Sequence, residues 1–417
     1  MAPTPTLDAR LDIDFARSHF PNLANGWAFF ENAGGSYVPQ SVIDRVHAYM
    51  SETQVQPGAS FGPSALAAER MAQGQQLMAQ LINADPREVI IGPSTTANIY
   101  VLAHALRPWF EPDGEIIVTN LDHEANSGAW RRLADSGVTV KEWRFCPETG
   151  ELHLEDLDKL LTERTVLVSC PHCSNITGSI IDVAGIIAKV HAASALVCVD
   201  GVAYAPHRAI DVKALDADFY VLSLYKVYGP HLALLYGKTE HLHRASAQNH
   251  FFIGDESMPL KLNPGGPNHE LTAGLAGVAD YFDALYHHHF EESDESFHRR
   301  AKKVYGLFAQ HEETLATRLV NYLASQPRVR VLGRPTAKAS LRAPTFSFVI
   351  EGRRSADFPP LVEANKVAMR NGNFYAYRCV RDFGLDPDDG VIRASLAHYN
   401  TLEEIDRLIQ GLERAMA

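Results

Sequence analysis

Apolar positions follow two rhythms along the chain. From about residue 88 to 237, short β-rich runs alternate with stretches of helical spacing. The strand runs are 88–91, 115–118, 138–140, 165–168, 196–199 and 219–222, and the spacing between them predicts helices over 96–106, 129–135, 154–161 and 184–193. Strand and helix in alternation predict an α/β layer with a mostly parallel central sheet flanked by helices. Ahead of it, residues 12–50 read as a short helix, a loop and a helix starting near Pro39, and 65–82 reads as a further helix. After Gly265-Gly266-Pro267 the texture changes to long helical stretches up to about 325, then to mixed sheet and helix to the end. The expected organisation is a segment 1–28 packed on the small domain, a large domain over 29–280, and a smaller α+β domain over 281–417.

A parallel sheet gathers its strand C-termini on one edge, where such sheets bind ligands. The apolar run 219–222 leads into Ser223-Leu224-Tyr225-Lys226, an amine among hydroxyls, before Gly229-Pro230 stops the strand. Another run ends in Val199-Asp200-Gly201. An amine and a carboxylate from two strand ends suit pyridoxal phosphate: Lys226 to hold the aldehyde, Asp200 to keep the ring nitrogen protonated. Taken singly, each also reads as a strand-end surface charge. Ser94-Thr95-Thr96 lies between strand and helix, as an anion cradle or a plain helix cap. His123 follows the run ending at Val118, to stack on an aromatic cofactor or to serve as a structural hydrogen-bonder. Asn175 follows another strand and is placed to donate to a phenolic oxygen. Arg393 lies in an apolar strand-like run, where a guanidinium needs a carboxylate, either from a substrate or from an internal Asp or Glu.

The 417 residues carry 46% hydrophobic and 21% charged residues, an ordinary globular composition. A formal charge of −12 with no Lys/Arg block argues against nucleic acid or an anionic membrane as partner. No apolar run reaches the roughly 20 residues of a membrane span, no secretory signal is evident, and five scattered cysteines form no disulfide framework. The expected location is therefore cytoplasmic. Cys170-Pro171-His172-Cys173 follows a strand and runs into loop chemistry, so it reads as buried thiols rather than a redox or metal pair, and no metal site is expected. His287-His288-His289 reads as a solvated helix end.

The order of these motifs resembles the class V aminotransferase family of fold-type I pyridoxal phosphate enzymes, in particular its cysteine desulfurase-like branch. The matching pieces are Glu31-Asn32-Ala33-Gly34-Gly35, Ser94-Thr95-Thr96, His123-Glu124-Ala125-Asn126, His172-Cys173-Ser174-Asn175, Val199-Asp200-Gly201, Ser223-Leu224-Tyr225-Lys226 and the run from Arg393 to Thr401. The resemblance implies a Schiff base on Lys226, a ring-nitrogen contact from Asp200, a stacked His123 and a phenolic-oxygen contact from Asn175. It implies phosphate contacts from Thr95, Thr96, Ser223 and Tyr225, a substrate carboxylate on Arg393, and Asn32 and Ala33 beside the substrate. It further implies a small amino-acid substrate and a homodimer. Three positions depart from the pattern. Tyr225 replaces the histidine common before the lysine, and Gly266 replaces a threonine that reaches the neighbouring subunit. Tyr375 stands where the persulfide cysteine is expected, with Cys379 four residues on. The expected activity is lyase chemistry at the β-carbon of cysteine, selenocysteine or cysteine sulfinate. The alternatives are desulfuration through Cys379, a decarboxylative aldol-type coupling, epimerisation, or a non-catalytic cofactor-binding scaffold. Arg370 and Arg378 are either ligands for a second acidic group or solvated surface residues.

Overall fold

The computed structural model describes residues 10–291 and 294–417. Its main sheet has seven strands: β1 (Val89–Gly92), β2 (Glu115–Thr119), β3 (Thr139–Trp143), β4 (Thr165–Pro171), β5 (Leu196–Asp200), β6 (Phe219–Ser223) and β7 (Ala233–Gly237), in the spatial order β1-β7-β6-β5-β4-β2-β3. β7 runs antiparallel to both its neighbours and the other pairings are parallel, so the sheet is mixed. β7 escapes the sequence pattern because the Gly-Pro that breaks the chain before it reads as an end rather than a reversal. The inner strands are buried on both faces, which explains their near-continuous apolar runs. Strand alternation then sorts the side chains. Ile117, Val168, Val199 and Leu222 join one core, and Ile116, Leu167, Cys198 and Val221 join the other.

The helices α1 (Thr95–Leu106) and α2 (Glu124–Arg131) contribute to the second of these cores, and α3 (Val183–Ala192) to the first. α2 begins five residues before the apolar spacing suggests, because the His123 side chain caps it by accepting from the Ala125 N–H at 3.0 Å. The expected helix over 65–82 spans Gly62–Leu81, with Pro at its first turn.

The long helix α4 (Phe297–Ser325) joins the two parts of the molecule. Ala301, Val304 and Phe308 belong to the large-sheet core, whereas Leu315, Leu319 and Leu323 belong to a separate one. That second core lies under an antiparallel sheet of β8 (Val329–Val331), β9 (Thr345–Ile350), β10 (Arg370–Gly372) and β11 (Val391–Ser395), in the order β10-β11-β9-β8. Between β10 and β11 lies a short helix, α5 (Tyr377–Asp382). The last helix, α6 (Leu402–Met416), starts in a Thr401/Glu404 capping box and covers the same core with Ile405, Leu408 and Leu412.

Of the N-terminal segment, residues 1–9 lie outside the described residues. Its described part does not pack on the small sheet alone. Ala16 and Phe20 enter the large-sheet core, while Arg17 reaches Glu404 at 3.0 Å. The three-histidine run is likewise more than a solvated end: His288 meets Asp12 at 2.9 Å, and His289 accepts from the Asp12 N–H at 2.8 Å.

Candidate functional site

The C-terminal ends of β1, β2, β4, β5 and β6 converge on a cavity with about 520 Å³ of empty volume, whose lining includes Thr95, His123, Asn175, Asp200, Ser223 and Lys226. Each side chain arrives by a local device. Ser94 caps α1, accepting from the Ala97 N–H at 3.1 Å, which sets Thr95 and Thr96 at the helix N-terminus on the cavity wall. The Thr95 and Ser223 hydroxyls meet at 2.8 Å although 128 residues separate them. β6 ends at Ser223, so the lysine is delivered not by the strand but by the single 3-10 turn Leu224–Lys226 that follows it.

Lys226 is buried, and among the described residues no carboxylate lies within ion-pair reach of it. Burial, reinforced by the Arg393 charge, lowers its pKa from 10.5 to about 8, against the opposing pull of Asp200 and Glu31. Among the described residues the Asp200 carboxylate accepts only the Val202 N–H, at 2.8 Å, and burial raises its pKa to about 6. Asp122, which the sequence reading did not single out, lines the same cavity. Burial, then the nearby Asp200, hold its pKa well above the carboxylate range. His123 is neutral: burial and then the charges of Lys226 and Arg393 lower its pKa to about 3. Since Nδ1 accepts from a backbone N–H, its proton sits on Nε2.

These residues fit pyridoxal phosphate. A buried carboxylate with a single backbone partner asks for a cation, which a protonated ring nitrogen supplies. A buried amine without a counter-ion is poised as a nucleophile, and two hydroxyls beside a helix N-terminus offer donors to a phosphate. Asn175 is only half available. Its Nδ2 donates to the Phe374 carbonyl at 3.0 Å, while its Oδ1 is buried without a partner.

A second, outer cavity of about 860 Å³ shares His123, Asn175, Tyr225 and Lys226 with the first and is closed by Glu31, Arg393 and the segment 370–375. Arg393 leaves β11 on the face opposite Ile392 and Ala394, which lie in the small-sheet core. Its Nη2 contacts both carboxylate oxygens of Glu31 at 3.1 Å, and Nη1 donates to the Asn175 carbonyl at 3.2 Å. The internal carboxylate is therefore Glu31, which the sequence reading left unnamed in this role. Ala33 lines the outer cavity, but Asn32 does not. Its amide donates to the Phe29 and Ser395 carbonyls at 3.0 and 2.9 Å, and its oxygen accepts from Tyr399, so the expectation of substrate contact for Asn32 is corrected to a structural role.

The roof of the outer cavity is a tied loop. Phe374 and Tyr375 both adopt left-handed backbone, with φ of 49° and 58°, which costs non-glycine residues strain. Contacts hold them there. The Glu124 N–H donates to the Tyr375 carbonyl at 2.7 Å, the Phe374 ring lies 3.6 Å from the Arg393 guanidinium carbon, and Arg378 pairs with Glu124. Arg378 is thus a tie of the loop and not a free acid-binding group. Arg370 is 72% exposed and lies 4.0 Å from Glu31. Cys379 is fully buried on α5 among Leu121, Phe145, Ile176 and Val380, and burial pushes its thiol pKa far up. Cys379 is absent from the linings of both cavities, and its burial disfavours the thiolate form that a persulfide carrier needs. Cys170 lies within β4 and Cys173 faces the Gly178 carbonyl, both buried.

Comparison with known proteins agrees with this geometry. A family model for class V aminotransferases matches residues 28–408. An aminotransferase-like protein of Gibberella zeae, FGM3, is 40% identical over 97% of this chain and 98% of its own length. A cysteine desulfurase-like protein of Aspergillus flavus, ustD, is 34% identical over 99% and 92%. Among solved structures, the cysteine desulfurase CsdA of Escherichia coli superposes with a TM-score of 0.82 at 27% identity, covering 97% of this chain and 98% of that one.

Proposed function

The chain belongs to the class V aminotransferase family, whose cofactor is pyridoxal phosphate, and on that premise we propose that it breaks a bond at the β-carbon of a small L-amino acid without a persulfide cysteine. Cysteine, selenocysteine and cysteine sulfinate are the candidate substrates. One observation carries this reading: among the described residues the polar lining of the outer cavity is an amine, an imidazole, two guanidinium groups, a carboxylate, two phenols and three amides, with no thiol.

When bound, the cofactor supplies an electron sink for charge developing on the substrate carbons. The residues of the chain do the rest. Lys226 is the residue that would hold the cofactor's aldehyde and, when free, would take and return the proton at the substrate Cα; a pKa near 8 suits an amine to both tasks near neutrality. Asp200 would keep a proton on the ring nitrogen, and its buried carboxylate would be ionised beside such a cation. Thr95 and Ser223 donate to the phosphate, and neutral His123 offers a flat face without adding charge. Arg393 fixes the substrate carboxylate and so selects which bond lies across the ring plane. The tied roof shields the reacting carbons from water.

The homodimer belongs to the same reading. Phe251 and Phe252 lie side by side, 99% and 71% exposed, an apolar pair that a second subunit would cover. Sedimentation of the holoenzyme tests it, with a dimer expected and a monomer at micromolar concentration against it. Among the described residues no helix is long and apolar enough to cross a membrane, which is in keeping with a cytoplasmic enzyme. The activity is tested by incubating holoenzyme with L-cysteine and, separately, with L-cysteine sulfinate and quantifying pyruvate, ammonia, alanine, sulfide and sulfite. Sulfide with pyruvate and ammonia is expected from cysteine, a redox-neutral β-elimination, and alanine with sulfite from the sulfinate. Recovery of both amino acids unchanged in composition but racemised would replace lyase chemistry with epimerisation.

A further inference from the structure

The guanidinium assigned to the substrate carboxylate is already covered by a carboxylate of the chain itself. Glu31 rests both side-chain oxygens on Arg393 Nη2, and among the described residues that carboxylate has no other hydrogen-bond partner. Both side chains are nearly closed off, at 3% and 11% exposure, yet both line the outer cavity. The placement of Glu31 is built into the backbone. Glu31 bridges Ser395 in parallel, the Ser395 N–H donates to the Phe30 carbonyl at 2.8 Å, and the Ala33 N–H donates to Ser395 Oγ at 2.8 Å. Room for the carboxylate comes from Gly34, where an added Cβ would fall 2.8 Å from each carboxylate oxygen.

A second cation stands next to the first. Arg370 and Arg393 are register partners on β10 and β11, and Arg370 Nη1 is already 4.0 Å from Glu31 Oε1. Arg370 is mostly solvent-facing and has no closer carboxylate among the described residues.

We propose that Glu31 is a resident carboxylate, occupying the substrate's place on Arg393 until the substrate arrives and then moving to Arg370. This rests on the reading of Arg393 as the substrate-carboxylate ligand. A buried guanidinium without a counter-ion would be strongly unfavourable, so the ligand-free enzyme needs such a cover. Exchange of one carboxylate for another keeps Arg393 paired throughout, and the displaced Glu31 gains Arg370, a neighbouring cation of the same pocket, as its partner. An amine lacking a carboxylate cannot make the exchange, because moving Glu31 aside would leave Arg393 bare. The pair thereby rejects amines that the lysine and cofactor would otherwise accept, a selection by exclusion.

Acetate is the probe, titrated into holoenzyme and followed by the melting temperature and the visible absorption of the cofactor. Glu31→Gln, of nearly the same shape, should bind acetate about tenfold more tightly than the native chain, since Arg393 is no longer occupied for most of the time. The same variant should melt lower without acetate and gain more from it. Glu31→Asp, which keeps the charge but draws it back, should fall between the two. Arg370→Gln should weaken acetate binding in the native background and leave it unchanged in the Glu31→Gln background. Acetate affinity that depends on Arg393 but is unchanged or weaker in Glu31→Gln would overturn the proposal and leave Glu31 as a strut that aligns the guanidinium. Acetate binding indifferent to Arg393→Gln in both backgrounds would instead remove the substrate-carboxylate reading, and the resident carboxylate with it.

Discussion

The floor and the roof of the site are built on different principles. The floor is made of strand ends: α1 and its cap, His123 at the start of α2, Asp200 closing β5, and Lys226 one turn past β6. On the proposed reading each group there would meet one part of the cofactor, and each sits at, or within a few residues of, a strand end. The roof is made of β10, a strained loop and Arg393 on β11, tied to the floor by side chains such as Glu124, Asn175 and Glu31. Its cysteine position is a tyrosine in left-handed backbone. On the proposed reading the difference teaches that the floor would set the cofactor chemistry, whereas the roof, which can change without disturbing the sheet, would set the choice of substrate and the fate of the leaving group.

Breaking the floor should have the largest effect. Lys226→Ala should reduce product formation by about a thousandfold or more, since it removes both the covalent anchor and the general base; residual activity within tenfold would mean that another base serves Cα. Arg393→Gln, at the seam of floor and roof, should lower kcat/KM by roughly a hundredfold, the scale of a buried charge-assisted contact. Steady-state kinetics with cysteine sulfinate check both.

A third prediction concerns pH. The neutral amine is the form that attacks the cofactor aldehyde, and Lys226 has a pKa lowered to about 8 from 10.5. The rate of cofactor reattachment to apoenzyme should therefore rise through pH 8 and level off above it, instead of climbing towards 10.5. Stopped-flow absorbance reads this directly, and a continued rise past pH 9.5 would show that burial does not depress the amine.

Changes confined to the roof should be milder. Cys379→Ala should leave turnover within about twofold while costing on the order of 1 kcal/mol in stability, as expected for trimming a buried side chain. Chemical denaturation and kinetics on the same preparation separate the two effects. Arg378→Ala, which removes a partly exposed tie to Glu124, should cost about 1 kcal/mol or less. A large loss of activity there would show that the loop must stay closed for chemistry.

The same contrast explains what was legible beforehand. The floor could be read because each of its residues follows an apolar strand run, and strand ends of a parallel sheet meet by geometry. Thr95 and Ser223, 128 residues apart, illustrate it. β7 was hidden behind Gly229-Pro230, and the start of α2 behind a histidine cap that no apolar spacing reports. The roof was hardly legible. Arg393 announced that it needed a carboxylate, but whether that carboxylate came from substrate or chain depended on a contact across 362 residues to Glu31. Asn32 lies in the right motif, yet its amide is spent on the backbone of β11. The left-handed pair Phe374 and Tyr375 has no sequence signature, since neither residue favours that conformation.

The central claim is that sulfur leaves the substrate without passing through a cysteine of the chain. It is tested most directly by quenching holoenzyme during turnover with L-cysteine and mapping every cysteine by peptide mass spectrometry. The account predicts free sulfide with pyruvate and ammonia in solution, and all five thiols unmodified. Sulfane sulfur on Cys379, or on any other cysteine, at levels that rise and fall with turnover would contradict it.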